Sequence, residues 1–132
     1  MKRLKKFIYV IHKHHASHLH YDLRLEMDGS LKSWAVPKTP PLEKGVKRLA
    51  VRVDDHRLGY EKFKGTIPEG QYGAGRVEIW DRGHYTPLEI KKNTIVFDVH
   101  GKKLKGTYCL VRFKPKSLKG KTSGKNWLFF KK

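Results

Sequence analysis

The 132-residue sequence predicts an all-β domain, a small antiparallel barrel that is closed or nearly closed and contains little helix. Three observations support this fold class. Apolar residues alternate with polar ones over runs of strand length, turn residues separate these runs, and no stretch shows a sustained helical period. The length predicts one domain covering residues 1–132, with residues 1–6 forming a flexible basic N-terminus.

The strands follow from this alternation. The clearest run is His18–Met27, in which every odd position is apolar and every even position is polar. Because successive side chains of a strand point to opposite faces, this run predicts one apolar and one polar face. Asp28 and Gly29 predict the hairpin turn that follows. The other predicted strands are Phe7–Ile11, Leu31–Val36, Leu49–Asp55, Val77–Trp80, Ile95–Val99, Thr107–Phe113 and Trp127–Phe130.

Turn residues divide these strands. The proline-rich segment Pro37–Pro41 is predicted to end the third strand, and Asp81–Gly83 to end the strand that begins at Val77. Leu88–Asn93 predicts at most one short helical turn. The glycine-rich segment Gly65–Gly75 lacks the lysine and hydroxyl residue of a P-loop, and no helix follows it. A turn or bulge between strands is therefore favoured over a phosphate cradle.

The charge distribution predicts a polyanionic partner. The chain has 30 lysines and arginines against 12 aspartates and glutamates, a formal net charge of +18. Residues 1–13 and 101–132 contain many basic residues and no acidic one, whereas the middle of the chain is nearly balanced. Basic side chains bind nucleic acid because they release the counterions of the phosphates that they neutralise. A basic surface that only keeps the protein soluble is the alternative.

The same composition argues against a membrane protein. No apolar run is long enough to span a bilayer, and no amphipathic helix is visible. The only cysteine, Cys109, lies in an apolar strand and is expected to be buried and unreactive. A chain with one cysteine cannot form an internal disulfide, so an intracellular, cytoplasmic location is predicted.

Histidines are concentrated in one short stretch, since five of the eight lie between residues 12 and 20. His20 and Asp22 are two residues apart on the polar face of the strand His18–Met27, so both side chains can reach one ion. His14 can reach the same ion if the chain bends before this strand. Imidazole and carboxylate groups bind divalent cations such as Mn²⁺ and Zn²⁺. A solvated, histidine-rich barrel face is the alternative interpretation.

Arg24 is the next residue on this polar face, and a guanidinium beside a metal ion suits a phosphate group. A second polar cluster follows in the chain. It contains Arg48, Arg52, His56 and Tyr60, and Lys38 lies in the proline-rich turn before it. If the two polar faces meet, they have the composition of a phosphoryl-transfer site, where positioning and charge stabilisation do most of the work. Alternatively, these arginines only contact backbone phosphates of a bound nucleic acid.

Several sequence blocks together resemble one known family. The blocks are His14–Glu26, Lys32–Lys38, Arg48–Tyr60, Ile67–Asp81 and Lys125–Lys131. They are similar to the 3′-phosphoesterase domain of bacterial DNA ligase D, and the similarity covers roughly residues 7–131. The sequence shows no ligase or polymerase module, so the chain is expected to be a free-standing member of that family.

The resemblance implies a β-barrel with an open crescent-shaped groove and a manganese-dependent activity that heals 3′ ends in DNA repair. Family members remove a 3′-terminal ribonucleoside, leaving a 3′-phosphate, and then hydrolyse this phosphate to a 3′-OH. Matching positions imply a role for each of eight residues. The implied metal ligands are His14, His20 and Asp22, the phosphate contacts are Arg24, Lys38 and Arg48, and the catalytic His56 is supported by Tyr60.

The sequence departs from the family pattern in two ways. His12 occupies a position that is often glutamine, so it is expected to alter the phosphate pocket, to add a ligand or to support the metal site from outside the ligand shell. The family usually has a longer N-terminal arm that contributes an arginine and a glutamate to the diester reaction. Phosphomonoesterase activity is therefore the main expectation, and phosphodiesterase activity the additional one.

The expected partners are primer-template duplexes with 3′ ends and a DNA ligase or end-binding repair protein. The chain itself is expected to act as a monomer. The alternative function is a basic β-barrel that binds nucleic acid without catalysis. Simple binding does not require the set of His14, His20, Asp22, Arg24 and His56, so this set distinguishes the two functions.

Overall fold

The computed structural model describes residues 6–114 and 124–132, and most of the predicted flexible N-terminus lies outside these ranges. The described residues form β-strands and one short 3-10 turn at Tyr60–Lys62. The strands are β1 (Phe7–His15), β2 (Leu19–Met27), β3 (Ser30–Val36), β4 (Lys47–His56), β5 (Gly65–Ile67), β6 (Gly75–Ile90), β7 (Thr94–His100), β8 (Lys105–Arg112) and β9 (Asn126–Lys131).

The sheet closes on itself. Neighbouring strands pair in the order β1-β2-β3-β4-β9-β8-β7-β6, and β6 pairs again with β1. The result is an eight-stranded antiparallel barrel, with the short β5 paired to β6 outside the ring. Closure pairs the backbone groups that a sheet edge would expose. The predicted all-β barrel is confirmed.

Aromatic and aliphatic side chains fill the barrel interior. The largest fully buried ones include Tyr9, Trp34, Tyr85, Phe97, Tyr108 and Phe129. Phe97 and Phe129 stack with their ring centroids 6.3 Å apart. The predicted burial of Cys109 is confirmed, and this burial raises the pKa of its thiol. Within residues 6–114 and 124–132, no helix is long and apolar enough to cross a membrane.

The two faces of β2 are those that its alternation predicts. Tyr21, Leu23 and Leu25 are buried in the core cluster of the barrel. The polar side chains of Asp22 and Arg24 on the other face are also buried, in contrast to the solvated face that was the alternative interpretation. They are buried because residues 56–75, which we call the covering segment, pass over this side of the sheet.

β6 differs most from the sequence prediction. The predicted turn at Asp81–Gly83 is wrong, because β6 continues from Gly75 to Ile90. The predicted short helical turn at Leu88–Asn93 is also wrong, since its first three residues are extended in the same strand. The sequence Asp-Arg-Gly is locally typical of a turn, but the structure uses its aspartate in long-range contacts.

Asp81 is a buried carboxylate that fastens the β7–β8 turn to β6. It accepts hydrogen bonds from the Tyr9 hydroxyl and from the backbone amides of Lys102, Lys103 and Leu104, at 2.8–2.9 Å. Hydrogen bonds to an ionised acceptor are roughly twice as strong as neutral ones. These contacts explain why an extended strand is preferred here over the local turn.

Tyr108 predicts a loss of stability at alkaline pH. Its buried hydroxyl donates a hydrogen bond to the Pro41 carbonyl oxygen at 2.8 Å, and burial raises the pKa of Tyr108 from 10.0 to about 12. Between these two values the unfolded chain loses the proton and the folded chain keeps it. The free energy of unfolding should therefore fall as pH rises, by about 1.4 kcal/mol per pH unit from this residue.

Guanidinium unfolding of wild type and Tyr108→Phe at several pH values between 10 and 12 measures this effect. The variant lacks the ionisable group, so its free energy of unfolding should decline less steeply than that of wild type. Lysine deprotonation affects both proteins equally and cancels in the difference. Identical slopes would show that Tyr108 ionises alike in the folded and unfolded chains.

Candidate metal and phosphate site

The β1–β2 hairpin brings the three predicted metal ligands together. His14 and His20 are directly opposite each other in the register of the two strands, and Asp22 lies two residues further along β2. The chain bends between the strands, as the sequence required for His14 to reach the other two. One ligand atom from each of the three side chains lies within 4.8 Å of the others.

Backbone carbonyl groups fix which nitrogen of each imidazole faces this cluster. His14 Nε2 lies 2.7 Å from the Gly73 carbonyl oxygen, and His20 Nδ1 lies 3.1 Å from that of His18. A carbonyl oxygen only accepts, so both of these ring nitrogens are N–H donors. In the neutral rings, His14 Nδ1 and His20 Nε2 therefore carry lone pairs, as is usual for histidines that bind a metal.

The three acceptor groups lie close together. His14 Nδ1 and His20 Nε2 are 3.2 Å apart, and His20 Nε2 is 3.2 Å from Asp22 Oδ1. Acceptors at this spacing repel one another unless a cation or a proton lies between them. Two imidazoles and a carboxylate are also a donor set that divalent first-row metals accept. The geometry and the chemistry of this cluster therefore fit a divalent ion.

The ionisation of Asp22 agrees with this arrangement. Burial by itself raises the pKa of Asp22, but the hydrogen bond that His20 Nε2 donates when its ring is protonated and the positive charge of Arg24 outweigh burial and lower it. The hydrogen bond with Asp22 in turn raises the pKa of His20. Asp22 is thus a carboxylate at neutral pH, the form that binds a metal.

Arg24 connects the metal cluster with the second polar cluster. Its guanidinium is only 3% exposed. Nε donates to His12 Nδ1 at 3.0 Å, and Nη2 donates to Asp22 Oδ2 at 3.3 Å. Nη1 lies 2.9 Å from Ser33 Oγ and 3.0 Å from His56 Nδ1. These contacts use four of the five guanidinium N–H groups, which leaves one on Nη2, beside Asp22, for a substrate oxygen.

His12 lies behind Arg24 and outside the metal cluster. It is fully buried, and its Nδ1 accepts the hydrogen bond from Arg24 Nε. Burial and the neighbouring Arg24 charge lower the pKa of His12 to about 4. A neutral His12 therefore holds the guanidinium in place from a position outside the three clustered ligand groups.

His56 and Tyr60 complete the arrangement from the covering segment. Their ring centroids are 4.6 Å apart, and the Tyr60 ring also lies 5.0 Å from the Arg24 guanidinium. Because His56 Nδ1 accepts from Arg24, the proton of the neutral ring is on Nε2. Burial and the Arg24 charge lower the pKa of His56, so the neutral form dominates near pH 7.

These groups line one cleft of about 510 Å³, which we call the metal cleft. It is lined by His14, His20, Asp22, Arg24, His56, Tyr60 and Tyr72, among others. Tyr72 is 95% exposed and was not singled out by the sequence. Gly73 and Ser33, which hold His14 and Arg24, were also missed. Among these missed residues, Gly73 alone had a local sequence signal, because it is one of the glycines of the glycine-rich segment.

Three predicted phosphate-binding residues are not among the residues that line the metal cleft. Lys38 is exposed in the loop after β3, and Arg48 donates to the Thr39 carbonyl oxygen in the same loop at 2.7 Å. Arg52 instead joins β3 and β4, because it donates to the Ser33 carbonyl oxygen at 3.0 Å and to Asp55. The structure thus brings Arg48 close to the loop of Lys38 and gives Arg52 structural contacts.

Comparisons with known proteins bear on this site. Residues 12–112 match the family model described as the DNA ligase D 3′-phosphoesterase domain. The chain is 52% identical over 128 residues to the multifunctional non-homologous end joining protein LigD of Pseudomonas aeruginosa, which covers 93% of this chain and 15% of that protein. It is 44% identical over 131 residues to the protein of the same name from Mycolicibacterium smegmatis, and this match covers 91% of this chain and 16% of that protein.

A third relative is the multifunctional non-homologous end joining DNA repair protein LigD of Mycobacterium tuberculosis. It is 43% identical over 124 residues, covering 91% of this chain and 15% of the relative. The chain thus spans about one sixth of the length of these relatives. The region matched by the family model contains the three clustered acceptors, Arg24, His56 and Tyr60. The chain belongs to the DNA ligase D 3′-phosphoesterase domain family.

Proposed function

We propose that the protein is a manganese-dependent 3′-phosphoesterase that hydrolyses the 3′-terminal phosphate of a nucleic acid strand to a 3′-OH during repair of DNA ends. The main support is the convergence of His14 Nδ1, His20 Nε2 and Asp22 Oδ1 beside the buried guanidinium of Arg24. The family description supports the reaction class, and the names of the relatives support broken DNA ends as the setting.

His14, His20 and Asp22 are the residues that hold the metal in this proposal. A bound divalent ion supplies positive charge that polarises a phosphate oxygen and lowers its repulsion toward an incoming oxygen nucleophile. Gly73 and the His18 carbonyl keep the two imidazoles in the tautomer that such binding needs. Mn²⁺ suits this mixed nitrogen and oxygen set, although related divalent ions also accept it.

Arg24 binds and orients the phosphate through the remaining N–H of Nη2. His12, Ser33 and His56 hold the guanidinium, so little reorganisation is needed when the substrate enters. During hydrolysis, water oxygen bonds to phosphorus and the bond from phosphorus to the 3′ oxygen breaks. The Nε2 proton of His56 is available either to this leaving oxygen or as a hydrogen bond to the phosphate, and Tyr60 keeps the ring in place.

The same site also suits a phosphodiester that joins a 3′-terminal ribonucleoside, because the metal and phosphate contacts are common to both reactions. We therefore propose that the same site also removes that ribonucleoside, as a second activity. The product 3′-OH is the group that a ligase or polymerase consumes, so we expect the protein to act before one of these enzymes. Lys38 and Arg48 are proposed to contact the nucleic acid outside the metal cleft.

The competing function is nucleic acid binding without catalysis, for which the net charge of +18 is sufficient. A primer-template duplex separates catalysis from binding alone. Its recessed strand carries a 5′ label and ends either in a 3′-phosphate or in one ribonucleotide. We expect wild type with Mn²⁺ to convert 3′-phosphate to 3′-OH and His20→Ala to be inactive. His84→Ala, at an exposed histidine on β6, is the matched control and should remain active. Duplex binding by wild type without any change of either end would establish the competing function.

A further inference from the structure

A second opening, of about 900 Å³, lies along residues 76–82 of β6, between β5 and the β7–β8 turn. We call it the basic groove. Five cationic side chains line it: Lys13, Lys64, Arg76, Arg82 and Lys103. Three of these residues, Lys64, Arg76 and Arg82, lie in the middle of the chain, whose nearly balanced charge gave no indication of a groove, and the other two lie in its basic ends.

The charge of the basic groove is largely uncompensated. Its one acidic lining residue, Glu78, already contacts His15 Nε2 at 3.2 Å and Arg76 at 3.4 Å. In the described part of the chain, no salt bridge reaches Lys64, Arg82 or Lys103. Neighbouring like charges repel one another, so a bound polyanion lowers the energy of this surface.

Aromatic rings hold two of the lysines in position. Lys103 Nζ lies 4.4 Å from the centroid of the half-buried Trp80 ring, and Lys13 Nζ lies 5.9 Å from that of Tyr21. Trp80 and Tyr21 contact each other edge to face at 5.6 Å. Cation–π contacts of this kind restrict the lysine side chains before a ligand binds. Less conformational entropy is then lost on binding, which distinguishes the basic groove from freely moving surface lysines.

The basic groove adjoins the metal cleft. Val77 lines both openings, and in the β1–β6 register it is opposite His14, while Arg76 is opposite His15. From Arg76 to Arg82 an extended strand covers about 20 Å. About six phosphates of one duplex strand occupy the same length. The cations therefore line a path that starts beside the metal cluster and is long enough for about six phosphates of one strand.

We propose that the basic groove binds the phosphate backbone of the nucleic acid behind the 3′ end that enters the metal cleft. The direction of the bound strand rests on the proposed function, but backbone binding itself does not, because it can be measured without turnover. Arg82 and Lys103 are the most informative residues, since they lie at the end of the groove away from the metal cluster.

The test compares Arg82→Gln/Lys103→Gln with Lys91→Gln/Lys92→Gln, which removes equal charge from the exposed β6–β7 turn, about 30 Å of extended chain beyond Arg82. Fluorescence anisotropy with a labelled recessed 3′-phosphate duplex, in chelator and over a range of salt concentrations, gives the affinity. The groove variant should bind at least about tenfold more weakly at 0.1 M salt, with a salt slope smaller by about two. The control variant should bind like wild type.

Turnover of a dinucleotide that ends in 3′-phosphate, a substrate confined to the metal cleft, separates this proposal from the proposed function. Retained dinucleotide hydrolysis with weakened duplex binding in the groove variant supports both. If wild type hydrolyses nothing while duplex binding still depends on Arg82 and Lys103, the proposed function fails and the basic groove stands. Equal weakening of the two variants, or no weakening of the groove variant, overturns the basic groove.

Discussion

Replacing Asp22 with asparagine is expected to reduce the rate of 3′-phosphate hydrolysis more than about 100-fold. Asp22 supplies the only negative charge among the three clustered ligand groups. Asparagine keeps the size of the side chain, but it removes the negative charge and replaces one accepting carboxylate oxygen with an NH2 group, which only donates. Loss of groups that merely support a ligand costs 10- to 100-fold in metal affinity or activity, so loss of a ligand itself should cost more.

The measurement combines the rate of 3′-OH formation with calorimetric titration of Mn²⁺ into each protein. Asp98→Asn is a matched control, because Asp98 also contacts a histidine, His100 at 3.0 Å, but lies on β7 away from the metal cleft. Asp22→Asn should lose both metal affinity and rate, and Asp98→Asn neither. Wild-type metal affinity and rate in Asp22→Asn would remove Asp22 from the ligand set.

Replacing Arg24 with methionine is expected to destabilise the metal-free protein by about 3–5 kcal/mol. The change leaves the buried carboxylate of Asp22 without the positive charge of Arg24, and His12 Nδ1 and His56 Nδ1 without the N–H groups that donate to them. A bound divalent ion provides a new positive charge beside Asp22. Mn²⁺ should therefore restore part of the lost stability in this variant.

Guanidinium unfolding with chelator and with Mn²⁺ measures both effects. Arg52→Met serves as the control, since Arg52 is more exposed and its loss leaves no buried carboxylate unpaired. It should cost less than Arg24→Met and should respond to Mn²⁺ as wild type does. A loss below about 1 kcal/mol in Arg24→Met, the same with and without Mn²⁺, would contradict a central electrostatic role for Arg24.

The metal cluster could be predicted in outline because its information is local. Alternation along the strand His18–Met27 places His20 and Asp22 on one face, and a bend before this strand is all that is needed to bring His14 opposite His20. Burial of this face could not be predicted in the same way. A polar strand face has the same pattern whether water or protein covers it, and here the cover comes from Tyr60 and Gly73, more than thirty residues away in sequence.

The contrast between local sequence patterns and contacts with distant residues also explains where else the structure differs from the sequence prediction. Asp81 occupies a sequence that is typical of a turn, and only its contacts with Tyr9 and the β7–β8 turn reveal that β6 continues through it. Gly73 has a φ of 76°, a conformation that favours glycine, and an added Cβ would lie 3.6 Å from His14 Cε1. Residues 68–74 of the glycine-rich segment form the predicted turn, whereas Gly65–Ile67 form β5, and the contact of Gly73 with His14 depends on tertiary structure.

In the proposed function, His14, His20 and Asp22 together hold one ion, and hydrolysis of the 3′-phosphate requires this ion. Protein freed of metal by a chelator is titrated with Mn²⁺, and bound Mn²⁺ and 3′-OH formation are measured on the same samples. We expect no activity without metal, activity that rises in proportion to bound Mn²⁺ up to one ion per chain, and neither binding nor activity in His20→Ala. Full activity of the metal-free protein, or of His20→Ala at the same Mn²⁺ concentration, would contradict this expectation.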